Sequence, residues 1–316
     1  MRDLPVIFLM GPTAAGKTGL AVELVQRLPL EIVSVDSAMV YRGMDIGTAK
    51  PSPEILRIAP HHLIDICNPS EVYSAARFRA DALRCIQEIH GRGRMPLLVG
   101  GTGLYFRALE QGLSVLPSGD AGMRKQLEAE AVQIGWEAMH ARLAEFDPEA
   151  AGKIHPHDPQ RIQRALEVYL LTGRPITAHF REVLKQRLPC RVVKIIIIPS
   201  DRGRLHQQAE QRFLRMLEEG LVDEVRSLRA RGDLHAGLPA MRLVGYRQVW
   251  SHLGGGLSYE AMIARAVIAT RQLIKRQLTW LRKESGGHWY DSLDSGLRDK
   301  ILEFLENRLK TGQFVI

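Results

Sequence analysis

The stretch Gly11-Pro12-Thr13-Ala14-Ala15-Gly16-Lys17-Thr18 fits G-x-x-x-x-G-K-[ST], and nothing else in the chain constrains the fold as much. An apolar run, residues 4–10 (LPVIFLM), precedes it, and a helical pattern over 18–28 follows it. A glycine-rich turn in that place lets successive N–H groups converge on a phosphate, and the helix N-terminus adds positive potential. Gly11, Thr13, Ala14, Ala15 and Gly16 are the expected backbone cradle. Lys17 brings a point charge to the outer phosphate, and Thr18 offers a hydroxyl to Mg2+. The match specifies a diphosphate or triphosphate without choosing between them.

Further apolar runs at 31–35 (EIVSV) and 95–99 (MPLLV) enclose a helical pattern at 74–90. Strand–helix alternation with apolar strands predicts a parallel sheet covered on both faces. The fold class expected is α/β: a P-loop NTPase-like core with a central parallel sheet flanked by helices. A motor-type NTPase also wants an apolar strand ending in Asp, but MPLLV ends in Gly100-Gly101-Thr102-Gly103. The strand that ends in an acid is EIVSV-Asp36, which in common P-loop topologies lies beside the first. Its tip belongs at the carboxyl edge of the sheet, where ligands bind. Asp36 is there placed to take a proton from a nucleophile near the phosphates; outer-shell support of a metal, or a helix cap, is the other reading. The Gly100–Gly103 turn brings backbone close to a ligand, and Thr102 adds a hydroxyl.

After Leu116-Pro117 the strand pattern stops. Helical patterns follow at about 121–134, 136–146 and 159–171, the last opened by Asp158-Pro159 and closed by Gly173. The expected domains are a core over 1–114 and 190–316, resuming with the strand Val192–Ile198, and an all-helical insertion over 115–189. The short apolar stretches exclude a spanning helix, and the N-terminus has no export pattern. Cys67, Cys85 and Cys190 exclude a disulfide scaffold, so the cytoplasm is expected. His61-His62 and His155/His157 have no second ligand cluster at metal spacing and read as structural or solvent-facing.

The net charge of +8 is concentrated late in the chain: residues 191–316 carry 21 Lys and Arg against 14 Asp and Glu. One-sided excess favours a polyanion. Residues 258–283 read as a helix with no acid after Glu260. Ile263, Val267, Ile274, Leu278 and Leu281 share one face, with Arg271, Lys275 and Arg282 in one row and Arg265, Arg276 and Lys283 in another. Two such rows suit a phosphodiester backbone. Arg242 and Arg247, with Arg161 and Arg164 on the insertion, could add to them.

A phosphate cradle, a neighbouring carboxylate, a helical insertion and a basic final third together resemble the bacterial tRNA dimethylallyltransferases (tRNA isopentenyltransferases). The resemblance covers nearly the whole chain. It is carried by GPTAAGKT at 11–18, DSAMVYRGMDIGTAKP at 36–51, HHLIDI at 61–66, YSAARF at 73–78, LLVGGTGLY at 97–105, HPHDPQRIQRALEVY at 155–169, MRLVGYRQ at 241–248 and TRQLIKRQLTWLR at 270–282. Ala15 stands where many relatives have Ser, Asn68 where Asp is common and Ile274 where Ala is common.

The resemblance implies transfer of a dimethylallyl group from dimethylallyl diphosphate to N6 of adenine 37, beside the anticodon. The phosphate loop would then hold the leaving diphosphate, with Thr13, Lys17, Thr18 and Mg2+ countering its charge. Arg212 would be a further diphosphate ligand. Asp36 would be the general base and Thr102 would hold the flipped adenine. Contacts to the tRNA anticodon stem-loop are implied for Asp36, Ser37, Ala38 and Met39; for Arg124; and for Gln160, Arg161, Ile162, Gln163 and Arg164. They are also implied for Met241, Arg242, Leu243, Val244, Gly245 and Tyr246, beside Arg271, Lys275 and Arg276 of the basic helix. No Cys/His zinc finger is present, so a bacterial form is implied, and a monomer with no membrane partner is expected. The competing readings are a P-loop nucleoside or small-molecule kinase, which has no use for the basic helix, and a non-catalytic RNA-binding module, which has none for the phosphate loop.

Overall fold

The computed structural model describes residues 4–114, 116–181 and 187–310. The chain divides into two compact units, Met1–Ala108 with Pro189–Ile316, and Leu109–Leu188. The expected boundary residue at 115 lies outside the described residues.

The first unit is built on six strands: β1 (Val6–Met10), β2 (Leu30–Val35), β3 (His61–His62), β4 (Met95–Gly100), β5 (Val192–Ile198) and β6 (Gly287–Asp291). They form one all-parallel sheet in the order β3-β2-β4-β1-β5-β6. Every carboxyl end therefore lies at the same edge. The adjacency expected of β1 and β2 is not found, because β4 lies between them. Val35 pairs with Gly100, and Met10 with the same Gly100 from the other side. The Asp36 tip and the phosphate loop thus flank the Gly101-Thr102 turn.

Among the described residues after β5, β6 is the one strand in a run of helices, and the sequence pattern does not show it. It is five residues, GHWYD, without apolar/polar alternation, and it exists by pairing with β5. The same holds for β3, a two-residue edge strand beside β2. His61 is held by the Ala59 carbonyl at 2.7 Å, and His62 by Glu31 at 3.0 Å.

The central strands are buried throughout, so helices must cover both faces. On one, α1 (Lys17–Arg27) and α14 (Leu297–Lys310) pack Leu20, Leu24, Ile301 and Leu305 against Ile7, Leu9, Leu97 and Ile195. On the other, Phe8 meets Phe106 of α4 (Gly103–Gln111) at 5.0 Å between ring centroids. Fully burying such a side chain stabilises by roughly 1.5–3 kcal/mol. Helices α2 (Pro53–Ile58) and α3 (Ala75–Gly91) lie between β2 and β4 in sequence.

After β5 come α10 (Arg202–Glu218), α11 (Leu221–Ala230), α12 (Tyr246–Leu253) and α13 (Tyr259–Leu281). Ser258 caps α13, accepting from Ala261 N. Its seam differs in part from the predicted one: Val267, Ile274, Leu278 and Leu281 are buried, Ile263 only partly, and Gln277 is buried among them. Leu205 and Ala209 of α10 pack on Ile274 and Leu278, which seats α10 on α13.

In the second unit the described residues form α5 (Ala121–Ile134), α6 (Trp136–Phe146), α7 (Pro148–Ala151), α8 (Pro159–Thr172) and α9 (Ile176–Arg181). Asp158 caps α8 by accepting from Arg161 N, and Gly173 ends it at φ 69°. Leu127, Ala131, Met139, Leu143, Ile162, Ala165 and Leu166 make a separate core. Among the described residues no helix is long and apolar enough to cross a membrane.

Candidate active site

Three strand tips and one helix converge. β1 runs into the phosphate loop at Gly11, β2 ends at Asp36, β4 ends at Gly101-Thr102, and α10 carries Arg212. In the loop, Ala14 has φ 65° and Gly16 has φ 78°. Left-handed residues turn successive N–H groups to one side, the geometry of an anion nest. At Gly16, the N-cap of α1, only glycine adopts that conformation at no steric cost. At Ala14 it costs about 1 kcal/mol, strain of the kind kept at functional loops.

Two cavities open here. One, of about 520 Å3, is lined by the phosphate loop from Thr13 through Gly19, with Ser34, Met39, Lys50, Ser52 and His61. The other, of about 590 Å3, is lined by Ser37, Ala38, Thr102 and the segment from Arg242 to Tyr246, with Arg276 and Trp280 of α13. Both are lined by Thr13, Ala14, Asp36, Gly101, Arg212 and Gln277. The wall between them thus holds one carboxylate and one guanidinium.

The charges are matched to anions on the loop side. Burial lowers the Lys17 amine to about 8, with Asp36 opposing the shift and Arg212 adding to it. Its Nζ donates to the Pro12 carbonyl at 2.7 Å. Burial also lowers Arg212 from its ordinary value, again against the pull of Asp36. Two desolvated cations on one cavity attract a diphosphate more strongly than solvated ones.

Asp36 is oriented by its own backbone: Oδ1 accepts from Ala38 N at 2.8 Å. The local cap and the proton acceptor are therefore compatible roles, one for each oxygen. Thr102 Oγ1 accepts from Ser37 N at 3.2 Å, which leaves its O–H to donate into the larger cavity.

Other positions singled out in the sequence stand elsewhere. Gly11 is buried beneath the loop, and Met241 is buried beside Arg242. Arg271 is not an uncountered charge: Glu210 of α10 holds it at 2.9 Å. Lys275 lies in a shallow groove of about 430 Å3 with Arg107, Arg276, Trp280 and Lys283.

In the insertion, Ile162 is fully buried in that unit's core, so the structure does not present it to RNA. Gln163 Nε2 donates to the Arg124 carbonyl at 3.0 Å, and Arg161 pairs with Asp158 at 2.9 Å. Gln160 is exposed beside them. Arg124 and Arg164 both bind Glu167, a buried carboxylate, at 2.8 and 2.5 Å. Burial raises the Glu167 carboxyl, but the two guanidiniums and the Asp120 N–H outweigh it and hold it below its ordinary 4.5. A carboxyl lowered in the folded state stabilises fully above 4.5, and that contribution is lost as pH falls through the folded value. Glu167→Gln is expected to lower stability on the order of 3 kcal/mol at neutral pH. Chemical denaturation should show the difference from wild type shrinking in acid; a constant difference would contradict this account.

Sequence reasoning missed Gln277, Trp280 and the Gly47-Thr48 wall of the larger cavity. Gln277 left one signal, a lone amide on the apolar stripe of a helix. Gly47 left none, because it reaches the cavity through a loop held by Glu224 of α11, which accepts from Asp45 N and Ile46 N at 2.8 and 2.7 Å.

A family model described as IPP transferase matches residues 39–284. A tRNA dimethylallyltransferase of Thioalkalivibrio sulfidiphilus (strain HL-EbGR7) is 62% identical over 282 residues, 89% of this chain and 88% of that protein. One of Alkalilimnicola ehrlichii is 58% identical over 304 residues, 95% and 96% of the two. Among solved structures, the full-length tRNA isopentenylpyrophosphate transferase from Bacillus halodurans is 38% identical, covers 98% of both chains and superposes with a TM-score of 0.72. A eukaryotic dimethylallyltransferase described as acting on tRNA is 26% identical, with a TM-score of 0.81 over 98% of this chain and 80% of that one.

Proposed function

The chain belongs to the IPP transferase family, whose relatives here are tRNA dimethylallyltransferases, and from that premise we propose that it transfers a dimethylallyl group from dimethylallyl diphosphate to N6 of adenine 37 in tRNA. One observation carries the assignment of parts. Two cavities share a wall of Asp36 and Arg212, one backed by the phosphate loop and the other by Thr102 and Arg242–Tyr246. A donor in the first and an extruded base in the second would meet at that wall.

The allylic C–O bond breaks and its electrons leave with the diphosphate. The N6–carbon bond forms, and the N6 proton passes to Asp36. Lys17, Arg212 and the loop N–H groups stabilise the leaving group where its charge builds. The Thr102 hydroxyl holds the base, which must leave its stack to enter. Thr18, Ser34 and Asp36 line the donor cavity with oxygen donors of the kind Mg2+ takes, and Mg2+ held there would offset diphosphate charge. A tRNA substrate supports work in the cytoplasm.

The test is incubation of the protein and unmodified tRNA with either dimethylallyl diphosphate or ATP. Prenylated adenosine with the first donor alone is expected; turnover of ATP would mean a kinase. Lys275→Ala and Arg276→Ala are each expected to weaken tRNA binding and to reduce the slope of log K against log salt by about 1. An unchanged slope would take α13 out of the RNA interface.

A further inference from the structure

We propose that Gln277 is a positioning residue that sets the spacing between the phosphate loop and the Gly101-Thr102 turn, and with it the alignment of donor and acceptor; this rests on the prenyl-transfer reading above. Gln277 Oε1 accepts from Thr13 N at 2.9 Å, and Nε2 donates to the Gly101 carbonyl at 3.2 Å. The two partners are backbone groups of opposite polarity, one on each loop. Only a side chain that accepts at one end and donates at the other satisfies both.

The fit is close. A Cβ added at Gly101 would lie 2.5 Å from Gln277 Nε2, so the amide rests on bare backbone. The residue is buried in the seam of α13. Ile274, one turn before it, and Leu278, the next residue, seat α10, the carrier of Arg212. One side chain thus joins the two loops, from the helix on which α10 packs.

The roots of the two loops are joined by the sheet, Gly11 N donating to the Gly100 carbonyl at 3.3 Å; Gln277 joins them further out, at Thr13 and Gly101. The phosphate loop is closed by Lys17 on Pro12 O, and Thr102 by Ser37 N. What the link controls is the distance between them. Displacing reacting groups by about 1 Å can cost on the order of 10²-fold in rate. Misalignment also changes the fate of the allylic carbon. After the C–O bond breaks, N6 attacks it and loses a proton to Asp36, or water attacks it, giving the allylic alcohol and a released proton. With the loops locked, N6 is the only nucleophile in line.

The experiment measures prenylated adenosine and released diphosphate in the same reactions. Wild type should release one diphosphate per modified adenosine; absence of transfer by wild type would sink the prenyl-transfer reading itself. Gln277→Met keeps the volume and loses both bonds. Its kcat for transfer should fall about 10–10²-fold with KM for tRNA and donor held within about threefold, and diphosphate released per modified adenosine should rise above one. Should that variant melt below the assay temperature, Gln277→Glu, which loses only the donor to Gly101, carries the same comparison. A ratio that stays at one, with or without a lower kcat, marks a merely structural side chain and overturns the proposal.

Discussion

Asp36→Ala is expected to slow prenyl transfer by about 10²–10⁴-fold, the range for loss of a general base, with tRNA binding largely kept. The exocyclic N6 of adenine is a poor nucleophile, because its lone pair is delocalised into the ring. Removal of its proton as the bond forms is what the carboxylate supplies. Asp36 also shapes the turn by accepting from Ala38 N, so alanine alone does not separate the two roles. Asp36→Asn does. Its amide oxygen can still accept from Ala38 N, but it cannot take a proton. Single-turnover transfer should be lost about as fully in Asn as in Ala, with tRNA affinity near wild type in both. Near-normal turnover of the Asn variant would reduce Asp36 to a turn former.

Lys17→Met is expected to lower kcat/KM for the donor by about 10²–10³-fold, the effect of removing one preorganised donor to a developing anion. In the proposed role the lysine would supply charge to the diphosphate both before and during C–O cleavage, so kcat should fall along with donor affinity. A pH profile ties the loss to the amine. With Lys17 lowered to about 8 in the free protein by burial, the ammonium is present below that pH and lost above it. kcat/KM for the donor should therefore decline above about pH 8 in wild type, and this alkaline limb should be missing in Lys17→Met. A limb that persists in the variant would assign it to another group.

The local features were legible because each rests on neighbours in sequence. The phosphate loop, the Asp158 cap, the Gly173 stop and the helices at 121–134 and 136–146 depend on turn chemistry and on a 3.6-residue period. The nearness of Asp36 to the phosphate loop was legible too, since parallel strands bring all their carboxyl ends to one edge. Strand order was not. β4 lies beside β1, and because both β4 and β2 are apolar enough for either place, the residues alone do not choose between them. β6 was invisible for a related reason, as its hydrogen bonds come from β5 and not from its own five residues.

The chain alone determined that a glycine-rich loop of the phosphate-binding type would follow an apolar strand, that an acid would stand near it, and that the last third would be basic. Those are properties of residues within a few positions of one another. Only the tertiary structure decided how they are used. It paired Arg271 with Glu210, buried Ile162 in the insertion core, set Arg276 at the edge of the larger cavity, and placed Gln277 between loops 264 and 176 residues away in sequence. Contacts over such separations follow from how α10, α13 and the sheet pack, and no local pattern encodes that.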